Sequence, residues 1–159
     1  MSIICFYYHI VICTKYRKMT INDLHKHDLY RYLNGVMKKS DAHVLAINGT
    51  ANHIHILIKC ERSVDISALV RNIKLAAHHF MRKMHPQWFP TFTEWSPEYA
   101  AFSCSTHNRE RIINYIAHQE QHHYGRTFEA ELKDIYQRAG VDPTRIAHDT
   151  MLEDEQNTQ

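Results

Sequence analysis

Two histidines within one apolar stretch are the first residues of this sequence that could do chemistry. His53 and His55 are separated by one residue in NHIHILI, residues 52–58. The stretch has the β-branched composition of a strand, where residues i and i+2 point to the same face. Two imidazoles on one face can bind a divalent cation through one nitrogen each. The chain holds 14 histidines, however, so this pair taken alone is more often incidental packing than a metal site.

A second reactive group lies in NYIAHQ, residues 114–119. A helical pattern puts Tyr115 and Gln119 at positions i and i+4, on one helix face. A tyrosine there either covers the edge of the core or acts as a nucleophile, with the Gln119 amide oxygen as a third, neutral metal ligand. His118 and His122 also stand at i and i+4 and form an alternative metal pair, although exposed polar positions explain them adequately.

The apolar pattern predicts the elements that carry these side chains in the first half of the chain. Residues 3–13 are β-branched and aromatic, as in a long strand. Thr20-Ile-Asn-Asp is predicted to cap a helix that runs to about Lys39. Residues 43–48 and 52–60 flank Gly49-Thr50-Ala51, which is typical of a β-hairpin.

The second half of the chain continues this pattern. The predicted elements are a helix from Ser63 or Asp65 that ends before Pro86 and Pro90, a strand over Glu98–Ser105, a helix from Thr106 or Asn108 to Gly125, and a helix over Thr127–Ala139 closed by Gly140. The order β-α-β-β-α-β-α-α predicts an α+β fold, a ferredoxin-like antiparallel sheet with helices on one face. Further helices at the C-terminus carry Tyr115. We expect one domain over residues 1–145 and a polar tail over 146–159.

Composition limits the class of protein. The four cysteines include no C-x-x-C pair, which argues against a zinc ribbon and favours reduced thiols in a cytoplasmic protein. The apolar N-terminal stretch is too short to span a bilayer and lacks the basic residues and cleavage site of a signal peptide. The net charge is only +2, but basic residues are concentrated in the first quarter of the chain, as on a surface that faces phosphates.

Taken together, the H-x-H strand and the Y-x-x-x-Q helix resemble the Y1 transposases of the IS200/IS605 type, which belong to the HUH single-strand endonucleases. Three longer stretches carry the same resemblance: YYHIVICTKYR (7–17), FTEWSPEYAAFSCS (92–105) and YIAHQEQHHYGRTFEAEL (115–132). The similarity covers roughly residues 7 to 140. The chain departs from the family at Ala51-Asn52, where members often have Pro-Asp, and at His118, where they often have Asn.

The resemblance implies a transposase that cleaves and rejoins single-stranded DNA at hairpin-bearing element ends. Tyr115 is the implied nucleophile, which forms a 5′-phosphotyrosine. His53, His55 and Gln119 are the implied ligands of Mg²⁺ or Mn²⁺. The resemblance further implies a homodimer in which the histidine pair of one subunit meets the tyrosine helix of the other.

Contacts to DNA are expected from five basic residues: Lys15, Arg17, Lys18, Arg71 and Lys74. Each is equally well explained as a solvated surface charge. Tyr16, Trp88 and Trp95 are candidates for stacking on unpaired bases, and packing in the core or at a dimer contact explains the tryptophans at least as well.

Two other functions stay open at this stage. One is a domesticated relative that processes repeated chromosomal hairpins. The other is a catalytically silent nucleic-acid-binding module that uses the sheet as a platform.

Overall fold

The structure, a computed structural model, describes residues 1–122 and 126–142. The chain divides into two compact units, 1–119 and 120–159. The predicted tail (146–159) and the predicted helix end at Gly125 lie outside the described residues. Among the described helices, none combines the length and the apolar composition that crossing a bilayer requires.

The main elements of the described residues are four strands and five α-helices. The strands are β1 (Phe6–Thr14), β2 (Ala42–Gly49), β3 (His53–Cys60) and β4 (Trp95–Cys104). The helices are α1 (Lys26–Lys38), α2 (Ile66–His79), α3 (Arg109–Ala117), α4 (Gln119–His122) and α5 (Phe128–Arg138).

The strands form one antiparallel sheet in the order β2-β3-β1-β4. Strands β1 and β3 lie at its centre, and two crossing helices, α1 and α2, connect the strands as a ferredoxin-like fold requires. The predicted α+β class is therefore confirmed.

The two faces of the sheet bury different residues. Ile54, Ile56 and Ile58 of β3 are fully buried in the main core, together with residues of α1 and α2. The opposite face carries a smaller cluster of Tyr7, Leu57 and Ile116, which α3 covers. The alternation of β3 thus points its isoleucines to one layer of helices and its histidines to the other side.

The predicted start of α1 is wrong by several residues. The Asn22 side chain accepts a hydrogen bond from the Leu24 N–H at 2.7 Å, and the resulting turn delays the helix until Lys26. Leu24, an apolar residue within the predicted helix, is 79% exposed. Local hydrogen bonding by asparagine overrode the capping pattern here.

The predicted hairpin and the second helix are confirmed. β2 and β3 pair antiparallel across residues 50–52. Asp65 caps α2 by accepting a hydrogen bond from the Ala68 N–H at 3.1 Å, and α2 ends in a π-turn over Phe80–Met84, ahead of Pro86. β4 begins at Trp95, three residues earlier than predicted.

The helix predicted to run from residue 106 or 108 to Gly125 is interrupted. α3 ends at Ala117, and His118 leaves the helical conformation at φ −105° and ψ 25°. The Asn114 carbonyl accepts from the His118 backbone N–H at 3.2 Å, and the ring Nδ1 of His118 lies 2.7 Å from the same oxygen. His118 therefore closes α3, and Gln119 starts a new element.

Candidate active site

β3 fixes the two central histidines on the face that α3 partly covers. His53 and His55 are both fully buried. In the β1–β3 register, Cys13 lies opposite His53 and Val11 lies opposite His55. The other central strand, β1, therefore flanks both histidines. Full burial in the middle of a sheet restricts their rotamers, as a preorganised site requires.

His53 is held through its Nδ1 atom. That nitrogen lies 2.7 Å from Asn52 Oδ1 and 3.0 Å from Thr50 Oγ1. The Asn52 amide in turn donates from Nδ2 to the Arg17 carbonyl at 3.3 Å. The short turn before β3 thus connects the histidine to the loop after β1.

His55 is held by a residue that sequence reasoning missed. Its Nδ1 lies 2.8 Å from Nε2 of His9, and the two ring centroids are 5.1 Å apart. His9 is 6% exposed and stands on the same face of β1 as Val11. The alternation in YYHIVIC indicates the face of the sheet on which His9 lies. Only the register of β1 with β3 places His9 beside His55.

Gln119 reaches the histidine pair from the break after α3. The residue is fully buried, and its Oε1 lies 3.3 Å from Nε2 of His53. Because His118 ends α3, Gln119 is not one turn along the same helix from Tyr115, as the i, i+4 spacing suggested. The break, and not a continuous helix, directs the amide to His53.

Tyr115 lies in the last turn of α3, beside His55 of β3 and His9 of β1. Its ring centroid is 5.8 Å from that of His55 and 6.4 Å from that of His9, in edge-on arrangements. Tyr115 packs half-buried against the cluster of Tyr7, Leu57 and Ile116. One chain therefore brings Tyr115, Gln119 and the histidine pair together.

The start of α3 is anchored to β1 by a cation and a phenol. The Arg109 guanidinium donates to the Tyr7 hydroxyl at 3.2 Å and lies over the Tyr7 ring. This hydrogen bond, with the attraction between the two groups, raises the pKa of Arg109. Arg109 stays charged, and its contact with Tyr7 holds the first turn of α3 against β1.

The donor set of this site fits a divalent cation. Two imidazoles from β3 lie beside one amide oxygen from the segment after α3, and all three side chains are fully buried. Imidazole nitrogen and amide oxygen are both metal ligands in proteins, and their neutrality would leave the full +2 charge of the ion in place.

His118 and His122, the alternative metal pair, do not lie on one continuous helix. His118 is exposed, closes α3 and has its Nδ1 at the Asn114 carbonyl. The side chain of His122 lies outside the described groups.

The basic loop after β1 has an unusual backbone. Tyr16 and Arg17 adopt φ values of 55° and 52°, a left-handed conformation that is uncommon for residues other than glycine. Lys15 pairs with Glu94 at 2.6 Å. The ammonium groups of Lys15 and Lys18 lie 5.4 and 5.7 Å from the centre of the Tyr16 ring. Such strain is often retained at functional loops.

The other two predicted DNA contacts line a groove between α2 and β4. The groove encloses about 370 Å³ and is lined by Arg71, Lys74, His78 and Tyr99, among others. Arg71 is exposed, whereas Lys74 Nζ donates to the carbonyls of Ser96 at 2.8 Å and Glu98 at 3.1 Å. The groove is therefore cationic, with Arg71 as its outermost charge.

Both tryptophans pack inside the protein. The Trp88 indole is stacked between His25 and His85, with centroid distances of 4.1 and 3.8 Å, so both of its faces are covered. Trp95 is 7% exposed. Packing, the alternative to base stacking, is confirmed for both residues.

The part of the chain that carries these residues matches known proteins. The family model described as "Transposase IS200 like" matches residues 2–119. Among curated proteins, the ISDra2 transposase TnpA of Deinococcus radiodurans is 25% identical over 117 residues, which cover 70% of this chain and 82% of that protein.

Two solved structures share the fold. A putative transposase from Deinococcus radiodurans R1 superimposes with a TM-score of 0.54 at 24% identity, over 75% of this chain and 92% of that one. A REP-associated tyrosine transposase, solved bound to a REP hairpin, superimposes with a TM-score of 0.59 at 16% identity, over 77% of this chain and 72% of that one.

Proposed function

The chain belongs to the IS200-like transposase family, and on that premise we propose that it cleaves and rejoins single-stranded DNA through a 5′-phosphotyrosine on Tyr115. The observation that carries the proposal is the convergence of His53, His55 and Gln119 beside Tyr115 within one chain. A nucleophile and three neutral ligands in contact are the parts that such a reaction needs.

Tyr115 performs the covalent step. Its phenol gives up a proton to water, its oxygen bonds to the scissile phosphorus, and the bond from phosphorus to O3′ breaks. The departing oxygen takes up a proton, so that strand leaves with a 3′-OH. Because the phosphodiester bond is exchanged and not hydrolysed, a 3′-OH can attack the phosphotyrosine and rejoin DNA without ATP.

The buried ligand set would hold the metal. A divalent cation bound by His53, His55 and Gln119, Mg²⁺ or Mn²⁺ by resemblance, would polarise the phosphate and offset the charge that develops on it. The imidazoles orient the site from β3, and the amide closes it from the end of α3. The neutrality of these three ligands leaves the ion its full +2 charge, which suits an anionic substrate.

The DNA strand is proposed to contact two basic surfaces. The loop of Lys15, Arg17 and Lys18 adjoins the site through the bond from Asn52 to the Arg17 carbonyl. Arg71 and Lys74 line the groove between α2 and β4. The fold shared with a transposase bound to a REP hairpin supports a DNA hairpin as the partner.

We also propose a homodimer, with active sites shared between subunits as the resemblance implies. A specific observation favours a second arrangement, because one chain by itself places Gln119 Oε1 at 3.3 Å from His53 Nε2. In that arrangement, each subunit builds its own site. Subunit mixing separates the two.

A domesticated relative that processes chromosomal hairpins would use the same chemistry, and the DNA that flanks the gene distinguishes it. A silent DNA-binding module predicts binding without metal and without cleavage.

The test is incubation of the purified protein with labelled single-stranded element ends and Mn²⁺. We expect a protein–DNA adduct that survives SDS, carries the strand on the 3′ side of the cleavage point through its 5′-phosphate, and is lost with EDTA. Metal-independent binding with no adduct on any hairpin-bearing end would instead identify the silent module.

A further inference from the structure

We propose that Asn52 and His9 are positioning residues, which fix His53 and His55 in the tautomer that carries hydrogen on Nδ1 and a lone pair on Nε2. The inference rests on the proposed metal site and deepens it, because only a nitrogen with a lone pair can bind a cation. Second partners of this kind are a common means of orienting metal-binding histidines.

The Asn52 amide has one orientation that satisfies its surroundings. The Arg17 carbonyl oxygen can only accept, so the atom that faces it at 3.3 Å is the Nδ2 donor. Asn52 is 5% exposed, and its backbone carbonyl accepts a hydrogen bond from the Thr14 N–H at 2.9 Å, which holds the residue in place. Oδ1 is thereby directed to His53.

This orientation decides the tautomer of His53. Oδ1 lies 2.7 Å from Nδ1 of His53 and, as an amide oxygen, can only accept. Nδ1 must therefore carry the hydrogen, which puts the lone pair of the neutral ring on Nε2. That atom is the one that faces Gln119 Oε1 at 3.3 Å, so two electron-pair donors point to the same place.

His9 has the corresponding role for His55. In the 2.8 Å contact between His9 Nε2 and His55 Nδ1, one nitrogen donates and the other accepts. If His9 donated, neutral His55 would carry its hydrogen on Nε2, and its Nδ1 would be occupied by the hydrogen bond. Metal binding through His55 therefore requires His9 to accept, with its own hydrogen on Nδ1.

The two positioning residues differ in chemistry. Asn52 is neutral at a position where family members often have aspartate, so it orients His53 without adding negative charge beside the ion. It also links the ligand to the basic loop, because its Nδ2 holds the Arg17 carbonyl. An aspartate would keep the acceptor for His53 and lose the donor to the loop.

The experiment reads tautomers directly in the metal-free protein. Long-range ¹H–¹⁵N spectra of histidine-labelled protein at about pH 8, where ordinary imidazoles are neutral, distinguish hydrogen on Nδ1 from hydrogen on Nε2. We expect Nδ1–H on both His53 and His55. Hydrogen on Nε2 of either ring in the wild-type protein overturns the inference.

Variants test the consequence for metal. Asn52→Leu removes the nearer of the two oxygens at His53 Nδ1, and His9→Phe removes the acceptor at His55, both at similar volume. Each variant is expected to weaken Mn²⁺ binding by roughly 10- to 100-fold in calorimetry. Asn52→Asp and His9→Gln keep an acceptor and are expected to recover most of the affinity and the Nδ1–H signal. His107→Ala, an exposed histidine outside the site, is the matched control and should bind as wild type.

Wild-type affinity in folded Asn52→Leu and His9→Phe overturns the inference. Should either variant fail to fold by circular dichroism, the wild-type tautomers still decide the question. The proposed function fails differently: wild-type protein that binds no Mn²⁺ and forms no adduct removes the metal site itself, whereas an adduct formed by protein with Nε2–H histidines overturns only the positioning role.

Discussion

Gln119 Oε1 lies 3.3 Å from Nε2 of His53, although 66 residues separate the two along the chain. The contact depends on the end of α3 at His118, which releases Gln119 from the helix and lets its side chain turn to β3. The same short segment carries Tyr115. One helix end therefore positions both the proposed nucleophile and the proposed third ligand, and substitutions there are expected to affect both.

Replacement of the nucleophile has a simple expected result. Tyr115→Phe should reduce the SDS-resistant adduct to background, because the attacking oxygen is gone while the ring still packs against Leu57 and Ile116. The free energy of unfolding should change by less than about 1 kcal/mol. Tyr32→Phe, a partly buried tyrosine at the main core, is the control and should retain the adduct. A persistent adduct in Tyr115→Phe would mean that another residue attacks.

Loss of a ligand should separate metal binding from folding. His53→Ala is expected to weaken Mn²⁺ binding at least tenfold in calorimetry, because one of three donors is lost. EDTA should stop adduct formation by the wild-type protein, and added Mn²⁺ should restore it. His107→Ala should behave as wild type in both measurements. Equal Mn²⁺ affinity in His53→Ala would exclude this residue as a ligand.

Subunit mixing decides between the two arrangements of the site. A mixture of His53→Ala and Tyr115→Phe proteins regains adduct formation if one subunit supplies the histidines and the other the tyrosine. The single-chain geometry, in which both groups adjoin, predicts no recovery. Exchange of subunits must first be shown with differently tagged proteins, and each variant assayed alone sets the background.

The basic loop after β1 should contribute to DNA binding through its positive charge. Lys18→Ala removes an exposed cation near Tyr16 and should weaken binding of all single-stranded sequences alike, reducing the slope of log affinity against log salt by about 1. Lys39→Ala, an equally exposed lysine after α1, should leave the slope unchanged. An unchanged slope in Lys18→Ala would place the DNA away from this loop.

Two glycines offer a matched test of the hairpin that carries the site. A Cβ on Gly49 would clash with the His53 carbonyl and lie 2.8 Å from Ile54 Cα, whereas one on Gly35 in α1 meets nothing within 4 Å. Gly49→Ala should destabilise the protein by roughly 1–3 kcal/mol, as overpacking does. Gly35→Ala should stabilise it by up to about 1 kcal/mol, because alanine favours the helix. Thermal unfolding of the pair measures both effects, and equal melting temperatures would contradict the close approach at Gly49.

The sequence by itself determined the sheet, the hairpin and the face on which His53 and His55 lie. These follow from periods that are local: alternation in a strand, helical spacing in α2, and an aspartate cap at Asp65. Local signals also misled. Asn22 formed a turn where a helix start was predicted, and His118 ended a helix that was predicted to run on to Gly125.

The tertiary structure decided the partners of the histidines. His9 was one of 14 histidines until the register of β1 against β3 placed its Nε2 at 2.8 Å from His55. Asn52 was only a departure from a family motif until its amide was found between Arg17 and His53. Register and side-chain orientation are set by the burial of the whole sheet, so no window of the sequence contains them. Residue types specified the chemistry that is possible here, and long-range packing selected which atoms meet.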